Sequence, residues 1–154
     1  MAKQSAGILL YRKIHKATEV LLVFPGGPFF SLKKDAGKWS IPKGEFTEEE
    51  TPLHAAIREM EEETGFRPEG DFIELTPIKQ KSGKIVHCWA LESDLEVTSI
   101  VSNTFELEWP PKSGKMKSYP EIVEAAWFTF EAAKAKINER QLPLLEELQQ
   151  LMHR

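Results

Sequence analysis

Apolar residues cluster in strand-length runs near the start of the chain. Gln4 to Lys13 (QSAGILLYRK) and Glu19 to Pro25 (EVLLVFP) are two such runs, and the polar residues His15 to Thr18 separate them. Short apolar runs divided by a brief polar stretch predict two strands joined as a β-hairpin.

A helical pattern begins at Thr51. The Thr51 side chain can accept a hydrogen bond from a free amide of the first turn, and Pro52 is tolerated at the first helical position. Gly65 lies where a glycine commonly ends a helix. The residues expected on the core-facing side are Leu53, Ala56, Ile57, Met60 and Thr64.

The remainder of the chain alternates between strand and helix signals. Further strands are predicted at Trp39–Ile41, Phe72–Gln80, Lys84–Glu92, Thr104–Trp109 and Glu124–Phe130, and loops at Gly26–Lys38 and Pro110–Ser118. A terminal helix from Glu131 to Met152 is expected to break near Pro143. This order of elements predicts an α/β sandwich, with a mixed sheet between helices, in one domain spanning residues 1–154.

Composition narrows the classes of function. The chain has 154 residues, 41% hydrophobic and 29% charged, which is ordinary for one globular domain. Its net charge of -4 argues against binding long nucleic acids through a basic face. Cys88 is the only cysteine, and no run is long enough to be a signal peptide or a membrane span. We therefore expect a cytoplasmic protein.

Three glutamates are the first candidates for chemistry. Glu59, Glu62 and Glu63 fall on one arc of the predicted helix, where their like charges repel each other. Arg58, one turn before Glu62, offers the only local compensation. A shared divalent cation would remove the repulsion, and carboxylate oxygens suit Mg²⁺ or Mn²⁺. Taken alone, the acids favour a solvated acidic helix face over a metal site.

The spacing around these acids favours the metal site. Gly44 is followed after five residues by Glu50, and after seven more by Arg58–Phe66 (REMEEETGF). This segment resembles the Nudix box at every fixed position, so the chain looks like a MutT-like Nudix hydrolase. The resemblance implies an α/β/α Nudix sandwich that hydrolyses a nucleoside diphosphate linked to another group, with divalent metal ions bound.

The resemblance also implies a role for each residue of the box. Glu59, Glu62 and Glu63 would bind the metal, and Gly44 would add its backbone carbonyl. Arg58 would orient a glutamate through an ion pair. Glu50 would support the loop before the helix, or lie in an outer coordination shell.

The general base is less closely defined. Some family members use a glutamate of the box, such as Glu62, and others use one on a later loop. The later candidates here are Glu106, Glu108, Glu121 and Glu124. Because Tyr119-Pro120-Glu121 resembles the loop that carries the later glutamate in several Nudix hydrolases, Glu121 is favoured over Glu124.

The stretch before the box suggests a substrate. Trp39–Gly44 (WSIPKG) resembles Nudix enzymes acting on dinucleoside polyphosphates, diphosphoinositol phosphates or capped RNA ends. Lys43 could hold a phosphate as a mobile point charge, although a solvated loop lysine is an equally good interpretation. Arg12 is a weaker phosphate ligand. Tyr119 could stack on an adenine, as a tyrosine of this region does in diadenosine tetraphosphate hydrolases.

The preferred function is magnesium-dependent cleavage of a pyrophosphate bond in a nucleoside or dinucleoside polyphosphate. The loop Gly26–Lys38 would form one wall of the pocket, and the protein would be a monomer or a homodimer.

One alternative is a pyrophosphatase that removes damaged nucleoside triphosphates. ADP-ribose hydrolysis is another, although the downstream proline expected for that branch is missing. A non-catalytic nucleotide sensor on the same scaffold is the alternative from another class.

Overall fold

The predicted hairpin is confirmed in the computed structural model, which describes residues 3–26, 37–80, 82–100 and 102–153. Strand β1 (Gln4–Ile14) pairs antiparallel with β2 (Ala17–Pro25). The two residues between them, His15 and Lys16, have φ angles of 47° and 71°. Two successive positive φ angles are the geometry of a two-residue hairpin turn whose twist matches that of the strands.

A seven-stranded mixed sheet runs through the centre of the fold. The later strands are β3 (Lys43–Phe46), β4 (Ile73–Glu74), β5 (Ile78–Lys79), β6 (Ile85–Glu92), β7 (Thr104–Glu108), β8 (Met116–Pro120) and β9 (Ile122–Thr129). The main order is β4-β6-β1-β2-β9, with β3 added to β1 and β5 added to β6. Among the strands that the structure describes, only β1 and β6 pair in parallel. Strands β7 and β8 form a separate two-stranded hairpin.

Helices cover both faces of the sheet, which confirms the predicted sandwich. Alternate residues of β1 enter different cores, because successive side chains of a strand point to opposite faces. Ile8 packs with helix α1 (Pro52–Thr64). Leu9 packs with α2 (Phe130–Lys136) and α3 (Leu142–Met152). Within the described residues, no helix has the length and apolar character needed to cross a bilayer.

Helix α1 has the predicted ends, but its buried face is rotated about the helix axis relative to the prediction. Thr51 accepts a hydrogen bond from the His54 amide at 3.2 Å, and Gly65 ends the helix with a φ of 79°. Ala56, Met60 and Thr64 are buried as predicted, whereas Leu53 and Ile57 are only half-buried. The buried face instead includes Ala55 and the charged residue Glu63.

One predicted strand is reduced to isolated bridges, and another is interrupted at a proline. Trp39 and Ser40 make only isolated bridges, and β3 begins after Pro42. The predicted strand Phe72–Gln80 is divided at Pro77 into β4 and β5. Proline has no amide hydrogen for a ladder, so the second run stops pairing at Pro77.

Two further boundaries differ from the prediction. The predicted loop Pro110–Ser118 is wrong at its end, because β8 begins at Met116. The carboxy-terminal helix breaks over residues 137–141, and Pro143 lies in the first turn of α3. In that turn the missing amide hydrogen has no helical partner to lose, so proline is accommodated.

A buried glutamine fixes the segment that leads into β3. Gln141, only 2% exposed, accepts a hydrogen bond from the Ile41 amide at 3.0 Å and donates one to Ser40 Oγ at 3.0 Å. Ser40 also exchanges backbone hydrogen bonds with Val23 of β2. The connection between α2 and α3 therefore holds this segment against the sheet.

We expect Gln141→Ala to lower the free energy of unfolding by about 1–3 kcal/mol, because the Ile41 amide would lose its buried partner. Chemical denaturation checks this, with Gln150→Ala on the exposed side of α3 as the control. Equal stability of the two variants would show that the Gln141 amide is not needed to hold the segment.

Candidate active site

Arg58 lies at the centre of the acidic helix face. Its Nε and Nη2 atoms donate to the two carboxylate oxygens of Glu50, each at 2.8 Å. Its Nη1 donates both to Glu59 Oε1 at 3.0 Å and to Glu62 Oε2 at 2.8 Å. These hydrogen bonds lower the pKa of Glu50 and raise that of Arg58. One guanidinium thus draws three carboxylates together.

Glu59 is pressed against the backbone of Gly44. A Cβ atom at Gly44 would collide with the carboxyl carbon and both oxygens of Glu59, so a larger residue there would displace the Glu59 carboxylate. Gly44 is held in place by its pairing with Ala6 in the sheet. Burial raises the pKa of Glu59, and the nearby charge of Glu62 raises it further.

Glu63 turns inward from the helix and is only 6% exposed. Burial raises its pKa to about 9, with further contributions from Glu59 and Glu121, while a hydrogen bond with the Lys43 backbone acts in the opposite direction. Its Oε2 atom has no hydrogen-bond partner among the described residues. A buried carboxylate oxygen without a partner is costly, and a cation would satisfy it.

Glu121 reaches the acidic cluster through three backbone hydrogen bonds. The Asn103 amide donates to the Glu62 carbonyl at 2.9 Å, and the Glu121 amide donates to the Asn103 carbonyl at 2.8 Å. The Gly26 amide donates to the Glu121 carbonyl at 2.9 Å, which ties the group to the end of β2. Burial raises the pKa of Glu121, and the charge of Glu62 raises it further.

Sequence reasoning missed the residues that make this connection. Asn103 acts through its backbone, and no side-chain pattern reveals such a role. Ser102 Oγ donates to the Asn103 carbonyl at 2.7 Å and accepts from the Ile122 amide at 3.0 Å. Gly26 is different, because a glycine in the sequence can indicate a close backbone contact. A Cβ atom at Gly26 would collide with the Pro120 carbonyl.

A pocket of about 320 Å³ lies beside the acids. Its lining residues are Val23, Pro25, Gly37, Lys38, Ser40, Ile41, Lys43, Glu63, Glu121, Ile122, Asn138 and Gln141. Lys43 is the predicted phosphate ligand among them. Burial lowers its pKa, and the charge of Lys84 lowers it further. Of the predicted wall Gly26–Lys38, residues 27–36 lie outside the described part of the chain.

One predicted substrate ligand, Arg12, is placed apart from the acids, and another, Tyr119, lies two residues before Glu121. Arg12 lies six residues beyond Ala6 on β1, roughly 20 Å from the Gly44 pair by strand geometry. It pairs with Glu19 and Asp94 at 2.8 Å, and its guanidinium lies 4.4 Å from the Trp127 ring centroid. Tyr119 was expected in a loop but belongs to β8, where its ring centroid lies 6.0 Å from that of Phe105.

The acids fit a hard divalent cation by the chemistry of their atoms. In the described ranges, no three His, Cys, Asp or Glu side chains are placed so that they could together hold a metal ion. Arg58 Nη1 lies between Glu59 and Glu62, and Glu63 faces inward. Oxygen donors, mutual repulsion and the orphaned Glu63 Oε2 are nevertheless what such an ion would compensate.

Comparisons with known proteins agree with this architecture. The model of the NUDIX domain family matches residues 1–148. The structure is similar to the NUDIX domain of Shewanella oneidensis NrtR complexed with ADP ribose (TM-score 0.67, 15% identity, 99% of this chain and 89% of that chain covered). It is also similar to a C. elegans Ap4A hydrolase (TM-score 0.64, 22% identity, 99% and 98% covered). A mutT/nudix family protein from Listeria innocua gives a TM-score of 0.66 at 17% identity, with 98% and 94% covered. A search of curated proteins gives no match.

We expect Glu63→Gln to raise the free energy of unfolding by about 1–3 kcal/mol at neutral pH in the presence of a chelator, because the buried carboxyl, whose pKa is raised to about 9, must take up a proton on folding, whereas the neutral amide does not. Thermal unfolding checks this, with Glu61→Gln on the exposed side of the same helix as the control. A less stable Glu63→Gln variant would show that the carboxylate is already well compensated.

Proposed function

The chain belongs to the NUDIX domain family and is a hydrolase acting on pyrophosphate bonds, and we propose that it cleaves a nucleoside or dinucleoside polyphosphate with the aid of Mg²⁺. Mn²⁺ would serve as a substitute, because it accepts the same oxygen ligands. The substrate envisaged is of the diadenosine tetraphosphate type. The proposal includes a cytoplasmic location and a monomeric or homodimeric state.

The observation that carries the proposal is the burial of carboxylates at one point. Burial desolvates both Glu59 and Glu63. The charge of Glu59 raises the pKa of Glu63, and the charge of Glu62 raises the pKa of Glu59. A fold selected for stability alone would place neutral or basic side chains here. We assign Glu59, Glu62, Glu63 and the Gly44 carbonyl as the metal ligands. A bound cation would supply charge neutralisation for the diphosphate and a more acidic water.

The chain's own residues would perform the remaining steps. Glu121 faces the same cluster and would accept the proton of the attacking water, because burial and Glu62 raise its pKa toward that of an effective base. Arg58 would hold Glu59 and Glu62 in their orientations. Lys43, in the pocket beside Glu63, would bind a phosphate oxygen.

The neighbouring structures support a nucleotide-like substrate. The C. elegans protein is named an Ap4A hydrolase, and the Shewanella oneidensis domain is described in complex with ADP ribose. Both names refer to an adenosine joined to other groups through phosphates. We therefore propose the same class for this chain, with Tyr119 beside Glu121 as a stacking surface for the base.

With Mg²⁺ present, we expect the wild-type protein to convert diadenosine tetraphosphate into ATP and AMP. Glu62→Gln should lower kcat by roughly 100-fold or more, because it weakens a proposed metal ligand. Glu61→Gln, on the exposed side of the same helix, should retain the wild-type rate. Chromatography of the products, for this substrate beside nucleoside triphosphates, ADP-ribose and diphosphoinositol phosphates, checks the expectation.

Faster release of pyrophosphate from nucleoside triphosphates would favour the pyrophosphatase that removes damaged nucleotides. Failure to hydrolyse any of these substrates would favour a nucleotide sensor instead.

The position of the general base is tested by comparing Glu121, just before β9, with Glu124 within β9. Glu121→Gln should lower kcat by about 100-fold with little change in KM, since a positioned base contributes on that order. Glu124→Gln should change kcat by less than about twofold, because Glu124 is exposed on β9. Steady-state kinetics of the two variants give the comparison, and an unchanged kcat in Glu121→Gln would leave the base to the acids of α1.

A further inference from the structure

Glu121 is the single residue between two strands that belong to different sheets. Strand β8 ends at Pro120 and pairs with β7, whereas β9 begins at Ile122 and pairs with β2. The register of β9 with β2 is shifted beside this junction, between Phe24 and Pro25. Regular strand pairing therefore does not by itself fix the backbone of Glu121, and contacts from elsewhere must do so.

Ser102 and Asn103 hold this junction through a closed ring of three hydrogen bonds. The Ser102 Oγ atom donates to the Asn103 carbonyl at 2.7 Å and accepts from the Ile122 amide at 3.0 Å. The Glu121 amide donates to the same Asn103 carbonyl at 2.8 Å. A carbonyl oxygen can accept two hydrogen bonds, and a hydroxyl can donate and accept at once, so the ring satisfies all of its donors.

The ring restrains both backbone torsions of Glu121. The Glu121 amide belongs to the peptide plane before its Cα atom, and the Ile122 amide belongs to the plane after it. Asn103 holds the first plane. The second plane is held from two sides, because Ser102 Oγ binds the Ile122 amide while the Gly26 amide donates to the Glu121 carbonyl at 2.9 Å. With both planes fixed, φ and ψ of Glu121 are set, and with them the direction in which its side chain leaves the backbone.

The same two residues are attached to the acidic helix. The Asn103 amide donates to the Glu62 carbonyl at 2.9 Å. Glu62 lies in the last turn of α1, where carbonyl groups lack partners within the helix. Asn103 thus relates the backbone of Glu121 to that of Glu62, and the Ser102 hydroxyl keeps this relation by closing the ring.

Ser102 is placed to act through Glu121 and not on a substrate. It is half-buried and is not among the residues that line the pocket of about 320 Å³. Without its hydroxyl, the amide of Ile122, a residue only 7% exposed, would lose its acceptor. We propose that Ser102 is a positioning residue for the hydrolysis, which orients the carboxylate of Glu121. This inference rests on the proposed function and adds to it a residue outside the acidic helix.

Steady-state kinetics with the polyphosphate that the wild-type protein hydrolyses fastest test the role of the hydroxyl. Ser102→Ala should lower kcat by about tenfold and leave KM unchanged, because a loosened base is less often in position whereas the pocket is intact. Ser102→Thr keeps the hydroxyl and should stay within about twofold of the wild-type rate. Ser99→Ala is the matched control, because the exposed Ser99 also donates to a backbone carbonyl, that of Glu96 at 2.7 Å, and it should keep the wild-type kcat.

A double-mutant cycle tests whether Ser102 acts through Glu121. Once Glu121→Gln has removed the carboxylate, the orientation of that side chain no longer affects the rate. The double variant Ser102→Ala/Glu121→Gln should therefore be about 100-fold slower than the wild type, as Glu121→Gln is alone. Two independent effects would instead multiply to about 1000-fold.

Amide hydrogen exchange measured by NMR tests the ring without turnover and without a metal ion. In Ser102→Ala the Ile122 amide should exchange about fivefold faster relative to the Met60 amide of α1, because one hydrogen bond is lost locally. Ser99→Ala should leave this ratio unchanged. An unchanged ratio in Ser102→Ala would show that the hydroxyl does not restrain the junction.

Three kinetic outcomes would also overturn the inference while leaving the proposed hydrolase intact. They are a wild-type kcat in Ser102→Ala when Glu121→Gln is slow, fully multiplied effects in the double variant, and a Ser102→Thr variant as slow as Ser102→Ala. A wild-type kcat in Glu121→Gln would reject Glu121 as the base, and with it the positioning role of Ser102. A protein that hydrolyses nothing, but whose Ile122 amide exchanges faster in Ser102→Ala, would reject the hydrolytic proposal and support the orientation of Glu121 by Ser102.

Discussion

The burial of like charges on one helix is the constraint on which the rest of the structure depends. Glu59 and Glu63 are desolvated beside Glu62, and the single guanidinium of Arg58 cannot satisfy all of them. Such an arrangement costs free energy in the folded protein. It is maintained because α1 packs firmly on β1 through Ala55, Ala56 and Met60, so the helix keeps these acids where solvent cannot relieve them.

Three distant parts of the chain converge on this cluster. The first brings Gly44, which β3 holds close enough to β1 that its backbone touches the Glu59 carboxylate. The second brings Glu121, fixed through Asn103 to the backbone of Glu62 itself. The third is the connection between α2 and α3, whose Gln141 anchors the residues that precede β3. The geometry of the acidic cluster is therefore set by contacts that involve the backbone at each of these three points.

Local signals predicted the elements well where one short-range rule decides the structure. The turn between β1 and β2, the Thr51 cap and the Gly65 terminus each follow from a few neighbouring residues. The errors have a common cause in long-range pairing. Trp39 and Ser40 find only isolated bridges, Pro77 ends strand pairing inside an apolar run, and β8 begins in a polar stretch because it finds a partner in β7. Apolar pattern alone does not reveal which amide groups will find a partner.

The sequence by itself determined the acidic helix, its caps and the spacing of Gly44, Glu50 and Arg58, because a helix converts sequence intervals directly into angles. Only the tertiary structure decided that Glu63 turns inward, that Arg58 joins Glu50 to Glu59 and Glu62, and that Arg12 pairs elsewhere. It alone placed Ser102 and Asn103 against the backbone of Glu121. Those outcomes depend on contacts between residues far apart in the chain, whose register is fixed only when the sheet is assembled.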